Sequence, residues 1–240
     1  PHVAVFDTAF FNQLPNKAAT YALKRDVAEK YRIRRYGAHG TSHQYVSERV
    51  SSILGRKDLK QIVLHLGNGA SASAVVCGKP LDTSMGLTPL QGLVMGGRTG
   101  DIDPATVFHL YREAGMSIDE IDDLFNKQSG MKGLTGHNDM REVWDMVLSG
   151  DQNARAAMDI YQHRLLQYVG AYYAVMGGLD ALTFTAGVGE NDPRVRSELC
   201  ESLAFLGVKI DLELNEEHFR REAIISTPDS SVKVLVVPTK

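Results

Sequence analysis

The sequence predicts an α/β protein in which a mixed β-sheet is flanked by helices. Three apolar runs follow one another closely, at 61–66, 71–77 and 79–83, and are typical of strands. The CGKP turn between the last two predicts an antiparallel hairpin. Later in the chain, strand, helix and strand patterns alternate, which predicts parallel strands with right-handed crossovers. In such sheets, ligands bind beyond the carboxyl ends of the strands.

The first sixty residues contain one predicted strand and two predicted helices. The run VAVFD predicts a strand at 3–7, and a polar, charged segment predicts a helix at 17–30. A further helix is expected from His43 to Leu54, with Thr41 or Ser42 as its N-cap.

The rest of the chain predicts a long loop and then a block of helices. Residues 85–100 are rich in glycine, threonine and proline, as in a long ordered loop. The helical patterns that follow cover 104–114, 117–127, 139–149 and 152–176. The final elements are a strand at 181–186, a helix from Pro193 to Phe205, a short strand near 208–211 and a strand at 232–237.

Composition indicates an ordinary globular protein. The 240 residues are 43% hydrophobic and 23% charged, enough for one large domain or two small ones. The net charge of -3 argues against a nucleic-acid or anionic-membrane partner, and no apolar run could span a bilayer. Cys77 and Cys200 could pair, but their separation favours free thiols in a reducing cytoplasm. Because the chain begins and ends within strand patterns, we expect a piece of a longer protein.

Three glycine-rich segments follow predicted strands: LGNGAS at 66–71, MGGRTGD at 95–101 and AGVGEND at 186–192. One such segment alone is most often a tight turn that requires positive φ. Two of them follow parallel-type strands, however, and are therefore predicted to meet at one edge of the sheet. The last precedes the helix at Pro193, where free amides and the helix dipole favour a phosphate. LGNGAS is followed by no Lys-Ser or Lys-Thr, so it is not the usual lysine-bearing phosphate loop, and the lack of a GxGxxG pattern argues against a nicotinamide-dependent dehydrogenase.

Three charged side chains near these segments suit phosphate chemistry. Asp7 ends a predicted strand, where its carboxylate can reach a metal ion or nucleophile, or only form an Asx turn. His39 lies between glycines that would let an anion approach the ring, although loop histidines are often structural. Arg98, between glycines, suits bidentate contact with phosphate, or else a plain salt bridge.

Two further patterns have plain structural alternatives. His39 and His43 are four residues apart, but only His43 is predicted on a helix, which disfavours a zinc site. Asp139 and Arg141 begin a predicted helix, where an acidic residue can serve only as the N-cap.

Six motifs, in order, resemble the acetate kinase (acetokinase) family: FDTAF, RRYGAHGTSH, HLGNGAS, DTSMGLTPLQGL, MGGRTGDIDP and FTAGVGEN. The resemblance covers essentially the whole chain. It implies the ribonuclease-H-like fold of the superfamily of acetate and sugar kinases, actin and heat-shock chaperones. Two lobes of that fold would close over ATP, Mg²⁺ and a short carboxylate. The implied reaction is reversible in-line transfer of a phosphoryl group from ATP to acetate, giving acetyl phosphate and ADP.

The resemblance also implies roles for individual residues. Asp7 is the expected acid/base, and His39 and Arg98 are the expected transition-state stabilisers. Ala38 and Pro89 are expected to line the methyl pocket of the substrate. The residues expected to bind ATP are His65, Leu66, Gly67, Asn68, Gly69, Asp139, Met140, Arg141, Gly187, Val188, Gly189, Glu190 and Asn191. Protein ligands for Mg²⁺ are expected mostly outside this chain.

Compared with the family pattern, the chain represents mostly the second of two lobes. Residues 1–12 would be a remnant of the N-terminal lobe and interlobe strand. Residues 13–240 would form the C-terminal nucleotide-binding lobe, ending before its last helix. Phe11 stands where a histidine is common in the family. Because the family divides its catalytic charge between two lobes, we expect this piece to bind nucleotide with little kinase activity.

The resemblance further implies a cytoplasmic homodimer that forms through this lobe. A propionate or butyrate kinase of the same family is one alternative, since it would differ only in its carboxylate pocket. A non-enzymatic, actin-like nucleotide switch on the same fold is another. That switch would explain the glycine-rich segments but not a histidine and an arginine that converge on the phosphates.

Overall fold

In the computed structural model, which describes residues 3–217 and 221–239, a six-stranded mixed sheet lies between two layers of helices. The strands are β1 (Lys60–Leu66), β2 (Ala70–Val76), β3 (Lys79–Thr83), β4 (Ala181–Thr185), β5 (Ala223–Ile224) and β6 (Lys233–Val236). Their order across the sheet is β3-β2-β1-β4-β6-β5. β4 pairs in parallel with both β1 and β6, and the other neighbours pair antiparallel. The predicted mixed sheet is thus confirmed.

The helices connect and cover these strands. They are α1 (Asn16–Ala19), α2 (Arg25–Lys30), α3 (Gly40–Ile53), α4 (Ala105–Glu113), α5 (Ile118–Lys127), α6 (Gly130–Thr135), α7 (Met140–Leu148), α8 (Gln152–Met176), α9 (Ala186–Asn191), α10 (Pro193–Ser202) and α11 (Leu212–Glu216). The long α8 begins where the Asp151 side chain accepts two backbone N–H groups, and it ends at Gly177 in the left-handed region. No helix in the described ranges is both long and apolar enough to cross a bilayer.

The two faces of the sheet differ in chemistry, because successive residues of a strand point to opposite sides. One face is apolar and packs against α8 in the largest core cluster, which includes Leu64, Phe184 and Leu165. The opposite face packs against α3, partly through a smaller cluster that contains Val46 and Val63. Buried or half-buried polar side chains lie beside that cluster: Gln61, His65, Ser71, Ser73, Thr183 and Thr185.

The strand directions bring the loops of interest to one edge of the sheet. Because β1, β4 and β6 are parallel, their carboxyl ends lie at the same edge. β3 runs the same way as β1, since two antiparallel pairings separate them, so the loop at 84–100 also leaves from this edge. Residues 67–69, 84–100 and 186–191 therefore meet at what is termed the carboxyl edge below.

Several predicted elements near the amino end are wrong. Residues 3–6 have no regular structure, because no described strand pairs with them. The helix expected at 17–30 is interrupted at 20–24, where Tyr21 turns to donate its hydroxyl to Gln91 Oε1 at 2.7 Å. The helix expected from His43 begins three residues earlier, at Gly40, with His39 as its N-cap instead of Thr41 or Ser42.

The later elements need fewer corrections. The AGVGEN segment is the short helix α9 instead of a turn, and the sequence did not reveal α6. Near 208–211, Ile210 makes only a single bridge with Ser226, and the edge strand is β5. The predicted helix to Phe205 ends at Ser202 and continues as a 3₁₀ turn. Cys77 and Cys200 are free thiols, as predicted.

The division of the chain at residue 12 stays a prediction. Phe10 and Phe11 pack with Leu14, Ala19 and Val75 in a third core cluster. The segment on both sides of the proposed boundary therefore lies against the sheet.

Candidate active site

Asp7 lies against the start of α3. Its Oδ2 accepts the backbone N–H of His39 at 2.7 Å, and its carbonyl oxygen accepts that of Gly40 at 2.8 Å. A side chain on Gly40 would collide with this carbonyl, so glycine is what permits the approach. A carboxylate at a helix N-terminus satisfies free amides and is stabilised by the helix dipole. The contact holds Asp7 next to His39.

The loop that carries Arg98 is held by α6. Met131 N–H donates to the Met95 carbonyl at 2.9 Å, and Lys132 N–H donates to the Gly96 carbonyl at 2.8 Å. Gly96 N–H in turn donates to the Asn68 carbonyl at 2.9 Å. The amino-terminal donors of a helix that the sequence did not reveal therefore tie the Arg98 loop to the turn after β1.

His39 and Arg98 converge on Gly69. A carbon placed at the Cβ position of Gly69 would lie 3.5 Å from His39 Nε2 and 3.6 Å from Arg98 Nη1. Arg98 Nη1 also donates to the Pro89 carbonyl at 3.2 Å. Segments far apart in sequence thus place an imidazole and a guanidinium beside a turn that has no side chain in the way. Such a group of donors suits an anion with several oxygens.

His39 and His65 are stacked, with ring centroids 4.1 Å apart. Burial lowers the pKa of His65 to about 4, and the nearby His39 acts in the same direction. Burial also lowers the pKa of His39; Asp7 opposes this shift and Arg98 adds to it. Both rings are therefore neutral near pH 7 and offer hydrogen-bond donors without a positive charge.

A cavity of 830 Å³ opens beside this cluster, between the turn after β1, α7 and α9. Eight of the residues expected to bind ATP line it: Gly67, Asn68, Asp139, Met140, Arg141, Gly187, Val188 and Asn191. Six lining residues had not been predicted: Asn138, Trp144, Asp145, Asp192, Pro193 and Arg194. The volume is in the range of small-ligand sites, which is roughly 300–1,000 Å³.

Trp144 is the most informative of the residues that sequence reasoning missed. Its indole N–H donates to Asp192 Oδ2 at 2.7 Å, and the guanidinium of Arg194 lies 5.5 Å from its ring centroid. In the sequence, Trp144 falls on the apolar face of a predicted helix and cannot be distinguished from a core residue. Its place on the cavity depends on contacts with residues about fifty positions away.

The other residues expected to bind ATP lie elsewhere. Leu66 is fully buried in the apolar core, whereas His65 and Gly69 belong to the cluster around His39. Gly189 is buried, and Glu190 Oε1 accepts the N–H groups of Ala186 and Thr239 at 2.9 and 3.1 Å. Their roles in nucleotide binding stay predictions.

A buried arginine holds α9 in place. Arg196 is 1% exposed, and its Nη1 donates to the carbonyls of Gly189 and Glu190, each at 2.9 Å. Its Nε donates to Asn215 Oδ1 at 2.7 Å. The last carbonyls of a helix lack intrahelical donors, and the Arg196 guanidinium provides the missing hydrogen bonds. It thereby fixes one wall of the cavity.

The remaining predicted residues have clear local roles. Asp139 caps α7 by accepting Arg141 N–H at 2.9 Å, and its hydrogen bonds from Arg141 lower its pKa to about 2. Asp139 is therefore the N-cap of α7, and both Asp139 and Arg141 also line the cavity. Ala38 is buried next to His39, and Pro89 is exposed next to Arg98. Within the described ranges, no three His, Cys, Asp or Glu side chains are grouped to hold a metal ion.

A family model, related sequences and solved structures all place this chain among the same group of proteins. The chain matches the family described as the acetokinase family over residues 1–240. The chain belongs to the acetokinase family. It is 60% identical to an acetate kinase of Leifsonia xyli subsp. xyli and 55% identical to one of Thermotoga maritima, and both alignments cover all of this chain. It spans 61% and 60% of those two relatives.

Solved structures of acetokinases share the fold. The crystal structure of Porphyromonas gingivalis acetate kinase superposes with a TM-score of 0.95 at 46% identity, over 98% of this chain and 60% of that one. The crystal structure of a propionate kinase from Francisella tularensis superposes with a TM-score of 0.93 at 46% identity, over 98% of this chain and 60% of that one. The fold is thus the actin-like, ribonuclease-H-like ATPase fold that the motifs implied.

The histidine cluster predicts a loss of stability in mild acid. The pKa of about 4 for folded His65 lies below the ordinary value of 6.5. Between these values the unfolded chain binds more protons, so stability is lost as pH falls through the window. From pH 6.5 to 5, His65 alone should lower the free energy of unfolding by about 2 kcal/mol. Urea denaturation across this range measures the effect.

A variant pair isolates the contribution of His65. His65→Asn keeps an acceptor for the Ser42 hydroxyl, which now lies 2.8 Å from His65 Nδ1, but removes the titrating ring. The free energy of unfolding of this variant should depend less on pH. That of His163→Asn, which changes an exposed position, should vary with pH as in the unmodified protein. Equal slopes for all three proteins would contradict the prediction.

Proposed function

We propose that this chain is the nucleotide-binding lobe of an acetate kinase, which transfers a phosphoryl group from ATP to acetate and forms ADP and acetyl phosphate. The observation that carries the proposal is the convergence of His39 Nε2 and Arg98 Nη1 at Gly69, beside the 830 Å³ cavity. Membership of the acetokinase family supports it.

In this proposal, the base and ribose of ATP occupy the cavity between α7 and α9. The phosphates extend past Asn68 toward Gly69. A side chain on Gly187 would meet nothing within 4 Å, so the cavity wall there leaves room for the ligand. Pocket shape and a few polar groups then orient the nucleotide, as in other small-ligand sites.

The catalytic residues would act by position and charge. His39 Nε2 and the Arg98 guanidinium stabilise negative charge on the transferred group, which is the main demand of phosphoryl transfer. Asp7, exposed beside His39, orients the substrate and is the proposed acid/base. Mg²⁺, bound with ATP, would neutralise phosphate charge; it needs only one or two protein carboxylates, and Asp7 can supply one.

Acetate is the proposed acceptor, with Ala38 and Pro89 at its methyl group. The bacterial relatives named above are acetate kinases. The propionate kinase of Francisella tularensis is as similar in sequence, at 46%, as the acetate kinase of Porphyromonas gingivalis. Overall similarity therefore does not separate the two acceptors. We further propose that the enzyme works in the cytoplasm, which the free thiols support.

We expect ADP to bind to the 240-residue chain and change its fluorescence. Trp144 is the single tryptophan in the sequence and lines the cavity, so its emission reports on the ligand directly. Gly187→Leu should fill part of the cavity and weaken binding about 10-fold or more. Ala204→Leu, at an exposed position, should have no effect. Absence of a saturable signal in the unmodified chain, together with no heat of binding, would refute the proposed site.

Arg98→Ala should reduce acetyl phosphate formation by the full-length protein about 100- to 1,000-fold. Nucleotide affinity should change far less, because the cavity is intact. Arg98→Lys should be only partly active, since lysine cannot form the bidentate contact. Arg25→Ala, at an exposed position on α2, serves as the control. Nearly full turnover in Arg98→Ala would refute the catalytic role of Arg98, and absence of acetyl phosphate formation by the unmodified full-length protein would favour the nucleotide switch over the kinase.

We propose that the protein forms a homodimer through this lobe. One face of α8 is buried, and its opposite face exposes small residues that include Ala171 and Ala174. Sedimentation equilibrium of the chain should give about twice its mass of 26.4 kDa. Ala174→Arg should shift the mass toward one chain, whereas Ala204→Arg should not. A monomer in the unmodified protein at micromolar concentration would argue against the proposal.

A further inference from the structure

A chain of buried hydrogen bonds leads to the side of the His39 ring opposite Nε2. His39 Nδ1 lies 2.9 Å from Ser71 Oγ, which lies 2.7 Å from His43 Nε2. His43 Nδ1 lies 2.7 Å from Ser73 Oγ. His43, Ser71 and Ser73 are each 0% exposed. These four residues are termed the His39 relay below.

His43 is a neutral imidazole. Burial moves its pKa well below the ordinary value, and the neighbouring His65 and His39 act in the same direction. A neutral imidazole has one N–H donor and one acceptor nitrogen, so its two serine contacts must differ in direction. Whichever serine donates to His43, the other accepts from it.

Only one arrangement gives every hydrogen of the relay an acceptor. Within residues 3–217 and 221–239, Ser73 Oγ has no hydrogen-bond partner, side chain or backbone, except His43, and Ser71 Oγ has none except His39 and His43. If His39 Nδ1 carried the hydrogen, Ser71 would donate to His43 and His43 to Ser73. The hydroxyl hydrogen of Ser73 would then be buried without an acceptor, which costs about 1–3 kcal/mol.

The remaining alternative also leaves a hydrogen unpaired. If both imidazoles donated to Ser71, its own hydroxyl hydrogen would have no acceptor. In the opposite direction Ser73 donates to His43 Nδ1, His43 Nε2–H donates to Ser71, and Ser71 donates to His39 Nδ1. Every buried donor is then satisfied, as is usual in folded proteins. His39 therefore carries its hydrogen on Nε2.

We propose that Ser71 and His43 are positioning residues that fix His39 as the Nε2–H tautomer, so that an N–H group faces the transferred phosphoryl group. The catalytic part of this inference rests on the proposed function. The tautomer matters because, on an unprotonated ring with its hydrogen on Nδ1, a nitrogen lone pair would face the phosphate oxygens. The hydrogen bond at His39 Nδ1 thus determines whether Nε2 carries a hydrogen.

The stacked ring of His65 is held in a similar way. Thr239 Oγ1 donates to Ser42 Oγ at 3.1 Å, and Ser42 Oγ lies 2.8 Å from His65 Nδ1. The end of the chain after β6 thereby contacts a ring that packs 4.1 Å from His39. His65 thus packs against the face of the His39 ring, whereas the hydrogen bond at His39 Nδ1 is made by Ser71.

The tautomer can be measured without any enzymatic activity. Long-range ¹H–¹⁵N correlation spectra of the labelled 240-residue chain at pH 7.5 separate protonated from unprotonated ring nitrogens. His39→Gln identifies the signals of residue 39 by their loss. We expect a protonated Nε2 and an unprotonated Nδ1 for His39. An Nδ1–H tautomer in the unmodified chain would overturn the proposal.

Substitutions at Ser71 test whether the relay is the cause. Ser71→Ala should give His39 a mixture of tautomers, and Ser71→Thr, which keeps the hydroxyl, should restore Nε2–H. Ser47→Ala is the matched control, since it removes a buried hydroxyl of α3 that donates only to the Gln44 carbonyl, at 2.9 Å. An unchanged His39 tautomer in folded Ser71→Ala would overturn the proposal.

A second position covers the case in which Ser71→Ala fails to fold. In His43→Gln, the amide can accept from Ser73 and donate to Ser71 as His43 does, so His39 should keep Nε2–H. In His43→Leu no donor reaches Ser71, and the tautomer should become mixed. Identical His39 spectra for these two variants would contradict the relay.

Kinetics of the full-length protein separate this inference from the proposed function. Ser71→Ala should lower kcat about 10- to 100-fold, the usual effect of removing a partner that orients a histidine. The KM for ATP should stay within about twofold, and Ser71→Thr should recover most of the rate. If the unmodified protein phosphorylates no carboxylate, the proposed function fails while the tautomer result stands. An active enzyme in which Ser71→Ala keeps its full kcat refutes the positioning role alone.

Discussion

Parallel pairing of β4 with both β1 and β6 is the constraint on which the site depends. Parallel neighbours end at the same edge of a sheet, so loops that are distant in sequence must meet there. The hairpin of β2 and β3 adds the long loop at 84–100 to the same edge. The cluster around Gly69 and the cavity beside it therefore result from strand direction, before any individual contact is considered.

Hydrogen bonds from polar groups then fix each loop at that edge. Arg196 satisfies the terminal carbonyls of α9, and the first amides of α6 hold the Arg98 loop. The carboxylate and carbonyl of Asp7 occupy the first amides of α3. In each case a helix end that would otherwise need water or a ligand is satisfied by a group from another segment of the chain. Side-chain donors that face the site beside Gly69 are those of His39 and Arg98.

The sequence was most informative where a pattern is local. The central strands and the long helices follow from apolar periodicity, and the glycine-bracketed His39 and Arg98 stand out in their motifs. The helix α9 was missed because its glycines suggest a turn, and its carbonyls are satisfied by Arg196, which no local pattern reveals. Trp144 and the His39 relay were missed for a related reason. His43 and Ser71 are 28 residues apart and become partners only when α3 packs on the sheet.

The direction of the His39 relay has a chemical consequence for the acceptor. Because all its hydrogens point the same way, Nε2 of His39 has no free lone pair and cannot remove a proton. An alcohol must lose a proton to become a good nucleophile, and this imidazole offers it no base. A carboxylate is already ionised at neutral pH and needs none. In the proposed reaction, the buried serines therefore leave any acid/base role to Asp7, from a position that no substrate touches.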